Sequence, residues 1–171
     1  ILARPSDTHD IRFVIINSDG SEPEMCGNGM RCFAKYLYEN NILVKDEMTV
    51  QTLAGTVVPR IEKKQSGQVV SVCVDMGVPK LYPKQIPFVH DGDRALGVPI
   101  ETEQGTMSVS CVSMGNPHAV IFVTDLSGVD IETMGPLVEN HPRFPEKTNV
   151  EFIEVLSHTA LKMRVWERGA G

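Results

Sequence analysis

No stretch of about 18 consecutive apolar residues occurs in this 171-residue chain, which excludes a membrane-spanning helix. Basic residues are short relative to acidic ones, 16 against 22, for a net charge of −6. The densest basic spot is Lys63-Lys64. That balance disfavours a nucleic-acid or anionic-membrane partner and points to a small molecule instead. The opening residues, ILARPSDTHD, lack a charged segment followed by an apolar one, so they are not a secretory signal. They also lack an initiator Met, and both ends read as cut. No CxxC pair exists, so a structural zinc site has no support and no metal is expected. The four cysteines, Cys26, Cys32, Cys73 and Cys111, are too widely spaced for a disulfide framework, and a reducing cytoplasm is the expected compartment.

What is present is enough apolar content, 42%, for one fair-sized domain or two small ones. Ile11–Ser18 is β-rich and reads as a buried strand, followed by turn residues Asp19-Gly20-Ser21. From Cys26 to Asn40, Met30, Phe33, Ala34, Leu37 and Tyr38 fall at helical spacing with Arg31, Lys35 and Glu39 opposite, which predicts an amphipathic helix. Strand-like runs follow at Met48–Leu53, Thr56–Glu62 and Val69–Val74. Gly77–Pro99, with four prolines, reads as linker-like, and a boundary is placed near its start. Further strands are expected at Thr106–Ser113, Ala119–Thr124, Asn149–Leu156 and Ala160–Glu167, with a short helix over Ile131–Asn140 after Asp130 as N-cap.

Chemistry concentrates at Cys26-Gly27-Asn28-Gly29. A lone Cys at a glycine turn is more often a packing residue, but here it opens a helix. First-turn N–H groups are unpaired and partly positive, a setting that favours a thiolate and can grip a carboxylate. Glycine costs roughly 1 kcal/mol in a first turn, and close approach by a ligand is one reason to keep it at 27 and 29. Cys32 lies six residues on, roughly 240° around the helix and about 9 Å along it, so it cannot share one substrate or metal with Cys26 and reads as packing. Cys73 and Cys111, inside apolar strands, read as core.

A second constellation is Met114-Gly115-Asn116-Pro117-His118, a turn between two apolar strands. Asn116 and His118 either bond the backbone of a tight connection or offer an amide and an imidazole at a strand end, where ligands often sit. Glu167-Arg168 closes the last strand, where an Arg fork suits a carboxylate and a Glu an ammonium, yet surface ion pairs are common there too. Asn17 and Asn149 are open between strand-end cap and ligand for a zwitterion.

In order along the chain stand Asn17-Ser18-Asp19-Gly20-Ser21-Glu22, Met25-Cys26-Gly27-Asn28-Gly29-Met30-Arg31-Cys32, Val74-Asp75-Met76-Gly77, Met114-Gly115-Asn116-Pro117-His118, Gly135-Pro136, Phe144-Pro145, Asn149-Val150-Glu151-Phe152 and Val165-Trp166-Glu167-Arg168-Gly169-Ala170-Gly171. Together they resemble the diaminopimelate epimerase family. Met-Cys-Gly alone is similar to proline racemases also, but there Asn28 is typically His. The resemblance implies an α/β (α+β) fold of two pseudo-symmetric halves, each a curved, mostly antiparallel sheet around a central helix. The halves would be residues 1–78, carrying Cys26 and lacking its start, and 79–171, lacking its end.

The same resemblance implies a cofactor-independent epimerase that interconverts LL- and meso-diaminopimelate, in lysine and cell-wall precursor biosynthesis. One thiol would take the α-proton and a second would return it on the opposite face. Cys26 is similar to the first, and the second would lie beyond Gly171, so the 171-residue stretch alone is expected to be inactive. Gly27 and Asn28 would bind the α-carboxylate through backbone N–H groups. Asn17, Asn116, Asn149 and Arg168 would hold the distal end, with Glu167 near the distal ammonium and His118 beside Glu167, ordering the site. No cofactor is implied, and a homodimer is left open. Two other readings stand beside this one: a proline, hydroxyproline or histidine epimerase of the same fold, and a truncated amino-acid-binding module.

Overall fold

A computed structural model describes residues 1–17 and 20–169, so Ser18, Asp19, Ala170 and Gly171 of the quoted motifs lie outside the described residues. The chain divides into two compact units, Ile1–Gly77 and Val78–Gly171, of mixed α+β character with strands predominating.

The first unit holds a four-stranded sheet of β1 (Leu2–Arg4), β2 (Ile11–Val14), β3 (Val50–Thr52) and β4 (Gly55–Val57), in that order. β2 and β3 run parallel, and the outer pairs are antiparallel. An antiparallel hairpin of β5 (Pro59–Lys63) and β6 (Val69–Val74) completes the unit. The first long strand stops at Val14 rather than Ser18, because the backbone leaves the ladder for a local turn. Asn17 N–H bonds the Ser21 carbonyl at 2.8 Å, and Gly20 N–H bonds the Asn17 carbonyl at 3.0 Å. Asn17 is therefore a loop residue. The single expected strand over Thr56–Glu62 is two strands in different sheets. It breaks before Pro59, which has no N–H to give and is tolerated as a first strand residue.

The crossover between β2 and β3 is helix α1 (Gly27–Glu39). It forms where expected, for the expected reason. Met30, Phe33, Ala34 and Leu37 make one buried stripe against β5, β6 and the Phe13 side of the sheet. Cys32 falls off that stripe and is exposed, so it is not a packing residue. Cys73 is exposed as well. It pairs across the hairpin with Arg60 on the outward face, while its neighbours Val72 and Val74 pack against the core.

The second unit holds a five-stranded sheet in the order β11-β10-β9-β8-β7, from β7 (Val98–Thr102), β8 (Gly105–Ser113), β9 (Pro117–Val123), β10 (Asn149–Ser157) and β11 (Ala160–Trp166). β9 and β10 are parallel, joined through helix α2 (Ile131–Glu139), and the other pairs are antiparallel. Asp130 caps α2, its carboxylate accepting the Thr133 N–H at 3.2 Å, and the Thr133 side-chain bond together with this N–H holds its pKa below the usual carboxylate range. The two helices end alike: Asn40 and Asn140 each donate a side-chain amide to the carbonyl four residues back, at 2.9 Å. The stretch that read as a linker is part of this unit, because Ile86, Phe88 and Ala95 are buried in its core and Phe88 packs on Phe144 with ring centres 4.7 Å apart.

Register decides what the second sheet shows on each face. Ala119 opposes Val150, and Ile121 opposes Phe152; all four are buried in the core, with Cys111. The residues between them, His118, Asn149 and Glu151, therefore share the other face.

Candidate functional site

Cys26 sits in extended conformation (φ −142°, ψ 104°) as the N-cap of α1, and its Sγ accepts the Gly29 N–H at 3.3 Å. Its carbonyl accepts the Met30 N–H at 2.8 Å, closing the first turn. The thiol is half-buried. Gly27 and Asn28 follow in the first turn, where N–H groups have no intrahelical acceptor. Asn28 is exposed, and its side-chain oxygen accepts from Arg31.

The two glycines also have a packing reason. A Cβ at position 29 would lie 3.2 Å from Cys26 Sγ and 3.3 Å from Phe13. A Cβ at position 27 would lie 3.2 Å from the Met76 sulfur. Glycine here makes room for the thiol and the core beneath it. Asn17, in the same unit, bridges the loop after β2 by donating its amide to Ser21 Oγ at 3.2 Å.

The second unit brings together most of its candidates at one end of the sheet. β8 turns into β9 through Met114-Gly115-Asn116, with Gly115 at φ +107°, a conformation that favours glycine. Among the described residues, neither Asn116 nor His118 bonds the backbone through its side chain. His118 Nε2 lies 3.0 Å from Asn116 Oδ1, and Nδ1 lies 2.6 Å from Glu151 Oε1. Both ring nitrogens of His118 are thus engaged, by Asn116 and by Glu151, an acid other than the Glu167 expected beside it. The parallel register is the reason: Asn149 opposes His118, and Glu151 is two residues further along the same face.

Asn149 is buried and is used twice. Its amide donates to the Pro117 carbonyl at 2.9 Å, and its oxygen accepts the Arg168 N–H at 2.9 Å. One side chain thus ties the start of β9 to the turn after β11. Arg168 also donates from its guanidinium to the Glu146 carbonyl at 3.3 Å. Glu167 is exposed beside it.

Sequence reasoning passed over two acids. Glu151 is buried, and its second oxygen has no hydrogen-bond partner among the described residues. Its signal was available, since it stands two residues from Asn149 between apolar Val150 and Phe152. Glu139, buried on α2, accepts from the Trp166 indole and the Gly169 N–H. Little in the local sequence marks it. Among the described residues no three His, Cys, Asp or Glu side chains converge as metal ligands would. No helix among them is long and apolar enough to cross a membrane.

A family model described as diaminopimelate epimerase matches residues 1–82 and 110–171, which takes in every residue of both constellations. The chain belongs to the diaminopimelate epimerase family. It is 54% identical over 171 residues to the diaminopimelate epimerase of Desulforapulum autotrophicum and 53% identical to that of Moorella thermoacetica. It is matched along its whole length but spans only 60% and 61% of those relatives. Among solved structures, its fold is similar to a probable proline racemase from Agrobacterium radiobacter K84 (TM-score 0.71, 20% identity, 95% of this chain and 52% of that one). A hydroxyproline epimerase from Agrobacterium vitis is similar too (TM-score 0.69, 20% identity, 96% and 51%). At that identity the likeness establishes the fold alone.

Proposed function

We propose that this chain forms the larger part of a diaminopimelate epimerase that inverts an α-carbon without a cofactor, with Cys26 as one of two catalytic thiols. The observation that carries the reading is Cys26 at the N-cap of α1, in a chain of this family. An α-proton is very weakly acidic, so its removal needs a base held against the carbon and donors held against the adjoining carboxylate. The cap supplies both from one turn. Cys26 presents sulfur, and the N–H groups of Gly27 and Asn28 face the side where negative charge accumulates. When Cys26 takes the proton, the carbanionic charge passes into the carboxylate and is stabilised there. A second thiol, in the part of the relatives' length that this chain does not span, returns a proton from the opposite face.

Other polar residues serve the far end of the substrate in this reading. Arg168 pairs with the distal carboxylate, Glu167 with the distal ammonium, and Asn17 and Asn116 add polar contacts. Asn149 contributes by holding the Arg168 backbone, and His118, bridged between Asn116 and Glu151, orders the strand end. The same reading places the protein in the cytoplasm, in lysine and cell-wall precursor biosynthesis, and a homodimer is open to test by sedimentation.

The test is a substrate panel on a polypeptide carrying this sequence at its relatives' length. LL-diaminopimelate is expected to yield the meso form, while proline, hydroxyproline and histidine are left unchanged. Turnover of proline or hydroxyproline in place of diaminopimelate would transfer the assignment to that class. Binding of an amino acid without α-proton exchange, with a Cys26 inert to iodoacetamide, would make the chain a binding module.

A further inference from the structure

We infer that Glu139 is a positioning residue that fixes the Glu167-Arg168 turn for the substrate's distal end, an inference that rests on the proposed reading of those two residues. Trp166 and Gly169 flank the dipeptide, and one carboxylate holds both. Glu139 Oε2 accepts the Trp166 indole N–H at 2.7 Å, and Oε1 accepts the Gly169 N–H at 3.1 Å. Lys147 Nζ approaches the same Oε1 at 3.8 Å. A carboxylate only 6% exposed is costly to bury unless its oxygens are satisfied, and these two N–H donors satisfy them.

The slot for Trp166 is built into α2. Gly135 lies one helical turn before Glu139, on the same face. A Cβ at 135 would come within 2.5 Å of Trp166 Cγ and 2.7 Å of Cδ2. Any larger residue there would push the indole off the helix. Glycine at 135 and glutamate at 139 thus make a cradle with an apolar floor and a charged rim, matched to one indole. Asn149 closes the arrangement from β10 by accepting the Arg168 N–H at 2.9 Å. The turn is held before it, within it and after it, while the Glu167 side chain stays exposed. Glu139 grips both flanks, and Asn149 the residue between them.

The experiment uses a polypeptide carrying this sequence at its relatives' length, with E139A and W166F variants. The Trp166 indole N–H, assigned by the resonance that W166F loses from a ¹H–¹⁵N spectrum, is a direct report on the contact. In E139A that proton is expected to lose its protection from exchange. KM for diaminopimelate is expected to rise about tenfold, the factor a misplaced hydrogen bond carries, with kcat changed far less. The rate of Cys26 alkylation is expected to stay at the parent value. W166F keeps a ring over Gly135 while removing the indole donor, so its KM is expected to rise in the same direction by less. An E139A variant with the parent's KM overturns the positioning role. So does one in which KM, kcat and Cys26 alkylation all shift together with a lowered Tm, because that is the mark of general destabilisation. A parent protein that neither binds nor turns over diaminopimelate overturns the underlying reading of the site, a result distinct from a competent parent with an indifferent E139A.

Discussion

The cysteines differ in what their surroundings let them do. Cys111 is 2% exposed in the second core, and burial pushes its thiol up to about 12. It stays protonated and shielded at any working pH. Cys26 is half-buried, and Cys32 and Cys73 are exposed. Iodoacetamide on the native protein is therefore expected to label Cys26, Cys32 and Cys73 and to reach Cys111 only after unfolding, which peptide mass mapping reads directly. Cys26 was legible in the sequence because its signature is local: a cap, two glycines and an apolar stripe within one helix. Cys32 and Cys73 were not, because exposure depends on which face of a helix or hairpin meets the core. Glu139 escaped for a related reason. Its partners Trp166 and Gly169 are far along the chain, and only the fold brings them together.

At the scale of elements, α1 follows directly from its pattern, while the strands were misjudged wherever backbone hydrogen bonds leave the ladder. Apolar content marks Val14-Ile15-Ile16 as strand, but the turn bonds of Asn17 and Gly20 end it early. The parallel contact between β2 and β3 is short, only two residue pairs. Asp10, just before β2, reinforces it by accepting from Lys45 and from the backbone and hydroxyl of Thr49, just before β3. The Lys45 ammonium bond, followed by the Thr49 N–H, lowers the Asp10 carboxyl to about 2. A carboxyl depressed in the folded state contributes stability above its unfolded pKa of about 4 and loses it as pH falls toward 2. Thermal unfolding is expected to show Tm falling over that window, with a shallower fall in Asp10→Asn. Equal slopes in the two proteins would mean that Asp10 does not contribute to the pairing.

At the scale of the whole molecule, each unit encloses its own core and carries its own set of candidate groups: Cys26, Gly27, Asn28 and Asn17 in one, Asn116, His118, Asn149, Glu167 and Arg168 in the other. The ordered motifs made the family legible from sequence alone, since they span nearly the whole chain. The hydrogen-bond assignments were less so, because His118 finds Glu151 only through strand register. The central claim is that Cys26 removes the substrate's α-proton. Its most direct test is deuterium incorporation at the α-carbon of diaminopimelate in heavy water, followed by NMR on a polypeptide carrying this sequence at its relatives' length, with Cys26→Ser beside it. The account predicts rapid incorporation by the parent and a fall of about 10²–10⁴-fold in the variant, the range that a positioned acid–base group commands. Incorporation at the parent's rate by Cys26→Ser would contradict it.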